Sequence, residues 1–175
     1  MGTPHFAVEA LKKIHESNYQ IVSVVCPPDK PGGRGQKLKS CEVKQYAVSQ
    51  NLKVLQPEKL KSPKFLSKLK NLNADLFIVV AFRMLPKEVW SIPKYGTFNI
   101  HASLLPQYRG AAPINWALIN GEKKTGVTSF LIDEQIDTGA ILLRKVCEIR
   151  ENENVGELHD RLMFMGAELT IETCE

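Results

Sequence analysis

A chain of 175 residues is long enough to bury a substantial core within one domain, and 43% apolar against 24% charged residues is an ordinary globular balance. The 23 basic and 19 acidic side chains leave a net charge of +4, which on its own describes a solvated lysine surface rather than a nucleic-acid binder. Cys26, Cys41, Cys147 and Cys174 show neither CxxC spacing nor histidine company, which argues against a zinc site and for free thiols in a reducing compartment.

Met1–Val8 has neither the basic start nor the apolar core of a signal peptide. No later run approaches the ~20 apolar residues of a membrane span, so no membrane is expected and the expected location is the cytoplasm. Pro4 suits a first helical turn, and Phe6, Ala7, Ala10, Leu11 and Ile14 recur at helical spacing up to about His15. Ile21–Val25 is an apolar run suited to a buried parallel strand.

Between Cys26 and Ser40, prolines, glycines and the basic residues Lys30, Arg34, Lys37 and Lys39 replace any packing pattern. Two readings stay open there: a surface loop, or a basic loop docking on phosphates with Arg34 as its probe. The run Gly32-Gly33-Arg34-Gly35 lacks the spacing of a dinucleotide or P-loop fingerprint, so an NAD or ATP site is not supported.

Residues 42–50 predict a short helix, Val54-Leu55 a brief strand, and residues 62–69 another helix. Asp75–Ala81 is the clearest buried strand, and its exit, Arg83-Met84-Leu85, falls at a carboxyl end, where open α/β sheets place ligands. A helical turn is predicted over 87–91. Thr97–His101 is then a strand whose alternation turns Phe98 and Ile100 one way and Asn99 and His101 the other. Residues 112–120 predict a helix, 126–132 and 140–148 strands joined through Asp133–Gly139. Asn154 with Glu157 is a capping pair opening a final helix. Strands alternating with helices predict an α/β fold with a mostly parallel, Rossmann-like sheet covered on both faces.

Asn99, His101 and, from the later loop, Asp137 could converge. An amide and an imidazole beside a carboxylate suit acyl-type transfer to an amine without a covalent enzyme intermediate. On these residues alone, a satisfied core histidine and a loop Asx-turn is the reading to be preferred. Ser103 lies near His101, but no G-x-S-x-G elbow surrounds it.

Asn99-Ile100-His101 running into Ser103-Leu104-Leu105-Pro106, with Arg109-Gly110 and Ala112-Pro113-Ile114, resembles the signature of the folate-dependent formyltransferases. Ile136-Asp137-Thr138-Gly139 is similar to that family's second signature. Met1–Pro4, Phe6–Val8, Pro28–Pro31 and Gly33–Gly35 resemble its branch acting on methionyl-tRNA. The resemblance implies formyl transfer from 10-formyltetrahydrofolate, a co-substrate, to the amino group of methionyl initiator tRNA, with no metal.

It also implies Asn99, His101 and Asp137 as the catalytic trio. Arg83, Met84, Leu85, Ser103, Leu104, Leu105, Pro106, Asp133 and Glu134 would line the folate pocket, and Lys30, Arg34, Lys37 and Lys39 would meet tRNA. Residues 1–175 would be one catalytic domain, acting as a monomer, that lacks the family's first strand and its C-terminal β-barrel. The alternatives are a folate-dependent formyltransferase or hydrolase acting on another amine, and an inactive folate- or RNA-binding fragment.

Overall fold

Strand β6 (Thr97–His101) carries Asn99 and His101, and the layers around it explain where they point. The computed structural model describes residues 1–32 and 37–175. Helix α1 (His5–Glu16) follows Pro4, and β1 (Val24–Val25) is shorter than the apolar run around it. A hairpin of β2 (Lys30–Gly32) and β3 (Lys37–Lys39) stands where only a loop is predicted. Pro31 and Gly32 break any two-residue alternation there, so backbone pairing forms the hairpin without a sequence signal.

Helix α2 (Glu42–Ser49), β4 (Val54–Leu55), α3 (Pro63–Lys70), β5 (Phe77–Val80) and α4 (Lys87–Trp90) lead to β6. Helix α5 (Pro113–Ile119), β7 (Lys124–Leu131), β8 (Ile141–Glu148) and α6 (Val155–Cys174) complete the chain. The pairings β1–β4 and β5–β6 are parallel, as the alternating order predicts. Strand β7 runs antiparallel to both β6 and β8, which makes the sheet mixed at that edge. Residues 132–140, between β7 and β8, are too few for a crossover, which needs about a dozen or more, so a direct antiparallel return is what that length permits.

Met1 and Gly2 tie the two parallel pieces together. Gly2 N–H donates to the Val25 carbonyl at 3.1 Å, and Val80 N–H donates to the Met1 carbonyl at 2.9 Å. A Cβ at Gly2 would lie 2.6 Å from that of Ala7, so only glycine lets helix α1 start this close to the sheet. A cleft of about 820 Å³ opens beside Met1, between residues 20–25 and 72–78, at the opposite end of the strands from His101.

Side chains alternate across β6 as predicted. Phe98 and Ile100 enter an apolar layer with Phe6, Val80, Val127, Leu158 and Leu162, formed mainly by α1 and α6. The opposite face of β5 packs Phe77 and Val79 against Phe65, Leu69, Leu85 and Val89 from α3 and α4. Asn99, paired in register with Val79, looks toward that second side. Fully buried Phe98 fixes the choice of face, since a one-residue slip would place a phenyl ring where the amide sits.

Candidate active site

Past His101, the chain turns through a loop held mostly by its own hydroxyls and amides. Ser103 donates its hydroxyl to the Gln107 carbonyl at 2.6 Å, and Thr128 from β7 donates to the Ser103 carbonyl at 2.7 Å. Leu105 N–H returns a bond to the Thr128 hydroxyl at 3.2 Å. The Leu105–Pro106 peptide is cis. These contacts close the loop over β7 and fix the distance between the end of β6 and Tyr108.

His101 is buried, and its two ring nitrogens meet different partners. Nε2 lies 2.8 Å from the Tyr108 carbonyl, while Nδ1 faces Asp137 Oδ2 at 3.6 Å. The second distance is that of an ion-pair contact rather than a hydrogen bond. Asp137 is itself held: Gly110 N–H donates to Oδ2 at 2.8 Å, and Arg109 Nε–H donates to its carbonyl at 2.8 Å. Asp137 adopts φ 53°, and Gly110 adopts φ 83°, the left-handed region that favours glycine.

The Asp137 loop is shaped from within by Asp133, whose Oδ1 accepts from Gln135 N–H at 3.0 Å and from the Thr138 hydroxyl at 2.8 Å. Gly139 closes it. A Cβ there would stand 1.7 Å from the Leu131 carbonyl oxygen, so the backbones of β7 and the loop approach as only glycine allows. Arg109 and Gly110 as the clamp on Asp137 escape sequence reasoning, although a glycine after an arginine in a polar loop hints at a left-handed turn.

Asn99 Oδ1 is buried and has no hydrogen-bond partner among the described residues. Buried acceptors are nearly always satisfied, which singles this one out on the strand face that also carries His101. His101 in turn faces Asp137, whose carboxylate is held by Gly110 N–H and whose main-chain carbonyl is held by Arg109.

The remaining predicted residues divide by what their side chains do. Met84 is exposed and Leu85 buried. Arg83 turns away from β6, donating to the carbonyls of Pro57 and of Glu58, the latter at 3.0 Å. Ser103 and Leu105 are buried, while Leu104 packs near Gly126 and Pro106 follows the cis bond. Glu134 pairs with Lys87 at 2.6 Å, linking the Asp137 loop to α4. Lys30 and Lys39 are exposed across the hairpin from each other. Lys37 is in β3, and Arg34 lies outside the described residues. Among the described residues, no three His, Cys, Asp or Glu side chains gather as a metal-binding group, and no helix is long and apolar enough to cross a membrane.

A family model described as formyl transferase matches residues 1–174. The chain belongs to the formyl transferase family. It is 60% identical over 176 residues to a methionyl-tRNA formyltransferase of Flavobacterium psychrophilum, covering 100% of this chain and 56% of that protein. The corresponding figures for the Bacteroides thetaiotaomicron methionyl-tRNA formyltransferase are 55% identity over 175 residues, 100% and 54%. This formyl transferase chain thus spans about half the length of the curated relatives it matches.

Among solved structures, it resembles phosphoribosylglycinamide formyltransferase from Streptococcus pneumoniae with a TM-score of 0.81 at 17% identity, covering 98% of this chain and 93% of the other. That likeness speaks for the fold. A sugar 3N-formyl transferase solved in the presence of dTDP and 5-N-formyl-THF is similar with a TM-score of 0.71 at 25% identity, covering 99% of this chain and 59% of the other. The formyl transferase family therefore fits the α/β layers described above.

Proposed function

We propose that this chain transfers the formyl group of 10-formyltetrahydrofolate to the amino group of methionyl initiator tRNA, as the catalytic domain of a monomeric cytoplasmic enzyme. The observation that carries the chemistry is the orphaned, buried Asn99 Oδ1 beside the His101–Asp137 contact. The choice of acceptor rests on the 60% and 55% identities to methionyl-tRNA formyltransferases, well above the 17% and 25% to enzymes named for small acceptors. Exposed Lys30 and Lys39 on the β2–β3 hairpin suit a phosphate backbone.

In this reading the acceptor amine attacks the formyl carbon, and the carbonyl π pair moves onto oxygen. Asn99 donates an Nδ2–H to that oxyanion, and Asn99 Oδ1 accepts an N–H of the attacking amine. His101 takes one proton from the amine nitrogen and only then, as the charged ring, has a further N–H to offer. The oxyanion then collapses, the bond from carbon to the N10 nitrogen breaks, and that nitrogen leaves with the electron pair and the proton that His101 gives back. The products are a formamide and tetrahydrofolate. Asp137 orients the imidazole and stabilises its charged form. In the same reading Met84, Leu85 and the Asp133–Asp137 loop line the folate pocket.

The acceptor is tested by offering the chain labelled 10-formyltetrahydrofolate with methionyl-tRNA, glycinamide ribotide or a nucleotide amino sugar in turn. Label passing to methionyl-tRNA alone is expected. Label passing only to one of the small amines, or release of formate with none, would replace the tRNA reading by its alternatives.

A further inference from the structure

The reaction described above leaves one contact of His101 unused, that of its second ring nitrogen. Its Nε2 lies 2.8 Å from the main-chain carbonyl of Tyr108. A carbonyl oxygen can accept but never donate, so a hydrogen must reside on Nε2 for this contact to be a bond. That assigns the tautomer without reference to the folate or the acceptor.

The carbonyl reaches the ring because Tyr108 adopts a left-handed backbone with φ 57°. A non-glycine residue holds that conformation only where its surroundings enforce it. The phenol beyond that backbone is tied at its tip: its hydroxyl donates to Glu122 and accepts from Asn120 Nδ2 at 3.1 Å. Asn120 caps the end of α5, and Glu122 follows Gly121 in the turn beyond it. One end of Tyr108 is thus pinned to the far end of α5, and its other end aims a carbonyl at His101.

We propose that Tyr108 is a positioning residue, held by Asn120 and Glu122, that keeps the hydrogen of His101 on Nε2 and leaves Nδ1, the nitrogen facing Asp137, as the atom that takes up and releases the proton. The kinetic part of this proposal rests on the formyl-transfer reading; the tautomer part does not. Loss of the phenol hydroxyl frees the loop, and the ring then samples both tautomers.

The test is nuclear magnetic resonance on chain labelled with ¹⁵N-histidine, recorded where the imidazole is neutral, with the His101 signals assigned by their absence in His101→Gln. Two-bond proton–nitrogen correlations are expected to show a single Nε2–H tautomer in the wild type. Tyr108→Phe and Glu122→Ala are expected to show averaged nitrogen shifts, whereas Glu122→Gln, which retains an acceptor for the phenol, keeps the single tautomer. In the formyl-transfer assay, Tyr108→Phe should lower kcat on the order of tenfold to a hundredfold while KM for both substrates stays within about twofold. An Nδ1–H or averaged wild-type ring overturns the proposal even if no variant folds, and so does an unchanged single tautomer in Tyr108→Phe. A wild type that transfers no formyl group but shows the predicted tautomers would defeat the formyl-transfer reading and leave this assignment standing.

Discussion

Asp137 is positioned through a neighbour with little freedom of its own. Its Oδ2 accepts the Gly110 N–H at 2.8 Å, and Gly110 sits at φ 83°, where an added Cβ meets nothing within 4 Å among the described residues but any side-chain-bearing residue is strained. Gly110→Ala should therefore cost about 1–2 kcal/mol from the left-handed conformation alone, measurable as a lower urea midpoint. If the loop escapes the strain by flipping, the carboxylate loses its N–H donor and kcat falls further than stability does. An alanine variant with wild-type stability and rate would show that Gly110 is not what holds Asp137. At this scale the sequence was most readable for Asn99 and His101, because period-two alternation alone put them on one face. It was least readable for Gly110 and Tyr108, whose contributions come through an N–H and a carbonyl that every residue possesses.

At the scale of elements, α6 is the helix whose start was plainest in the sequence. Asn154 Oδ1 accepts from Gly156 and Glu157 N–H at 2.9 and 3.1 Å, and Glu157 Oε2 accepts from Asn154 N–H at 3.0 Å, completing the capping box. Asn154→Ala is expected to cost about 1 kcal/mol, and thermal denaturation of the variant checks it. Leu158 and Leu162 from this helix pack in the same layer as Phe98 and Ile100, so fraying at its start loosens β6 from behind. The directions of β7 and β8 were harder to foresee. Helices between the earlier strands point to parallel pairing throughout, and only the short β7–β8 connection argues otherwise. The β2–β3 hairpin left no trace in hydrophobic periodicity, since it contributes no large apolar side chain to either core layer.

For the molecule as a whole, a chain that starts at Met1 with a free amine has a stability that depends on pH. The Met1 amine donates to the Ile78 carbonyl at 2.6 Å and is buried, although the residue as a whole is partly exposed. Desolvation, opposed weakly by Cys26, lowers its pKa from 8.0 to about 6. Between those values the unfolded chain binds the proton that the folded chain releases, so stability rises as pH rises from about 6 to 8. For chain retaining a free Met1 amine, the gain across that window is roughly 3 kcal/mol. Below pH 6 both states are protonated and this contribution levels off. Urea denaturation at pH 6 and 8 measures it, and acetylating the amine should remove the difference; a pH-independent midpoint before acetylation would contradict the burial of this charge.

The strand that Met1 joins, β5, pairs with β6, where an open amide and a tautomer-fixed imidazole share one face and a clamped carboxylate meets the imidazole. The most direct test is single-turnover transfer of labelled formyl from 10-formyltetrahydrofolate to methionyl-tRNA by the wild type, Asn99→Ala and His101→Ala. Loss of one preorganised donor to a developing oxyanion costs about 10²–10³ in rate, and loss of the proton carrier about 10²–10⁴. The predicted result is measurable formyl-methionyl-tRNA from the wild type with losses of that order in both variants, each with an unchanged melting curve. Wild-type rates in both variants would contradict the assignment of the site.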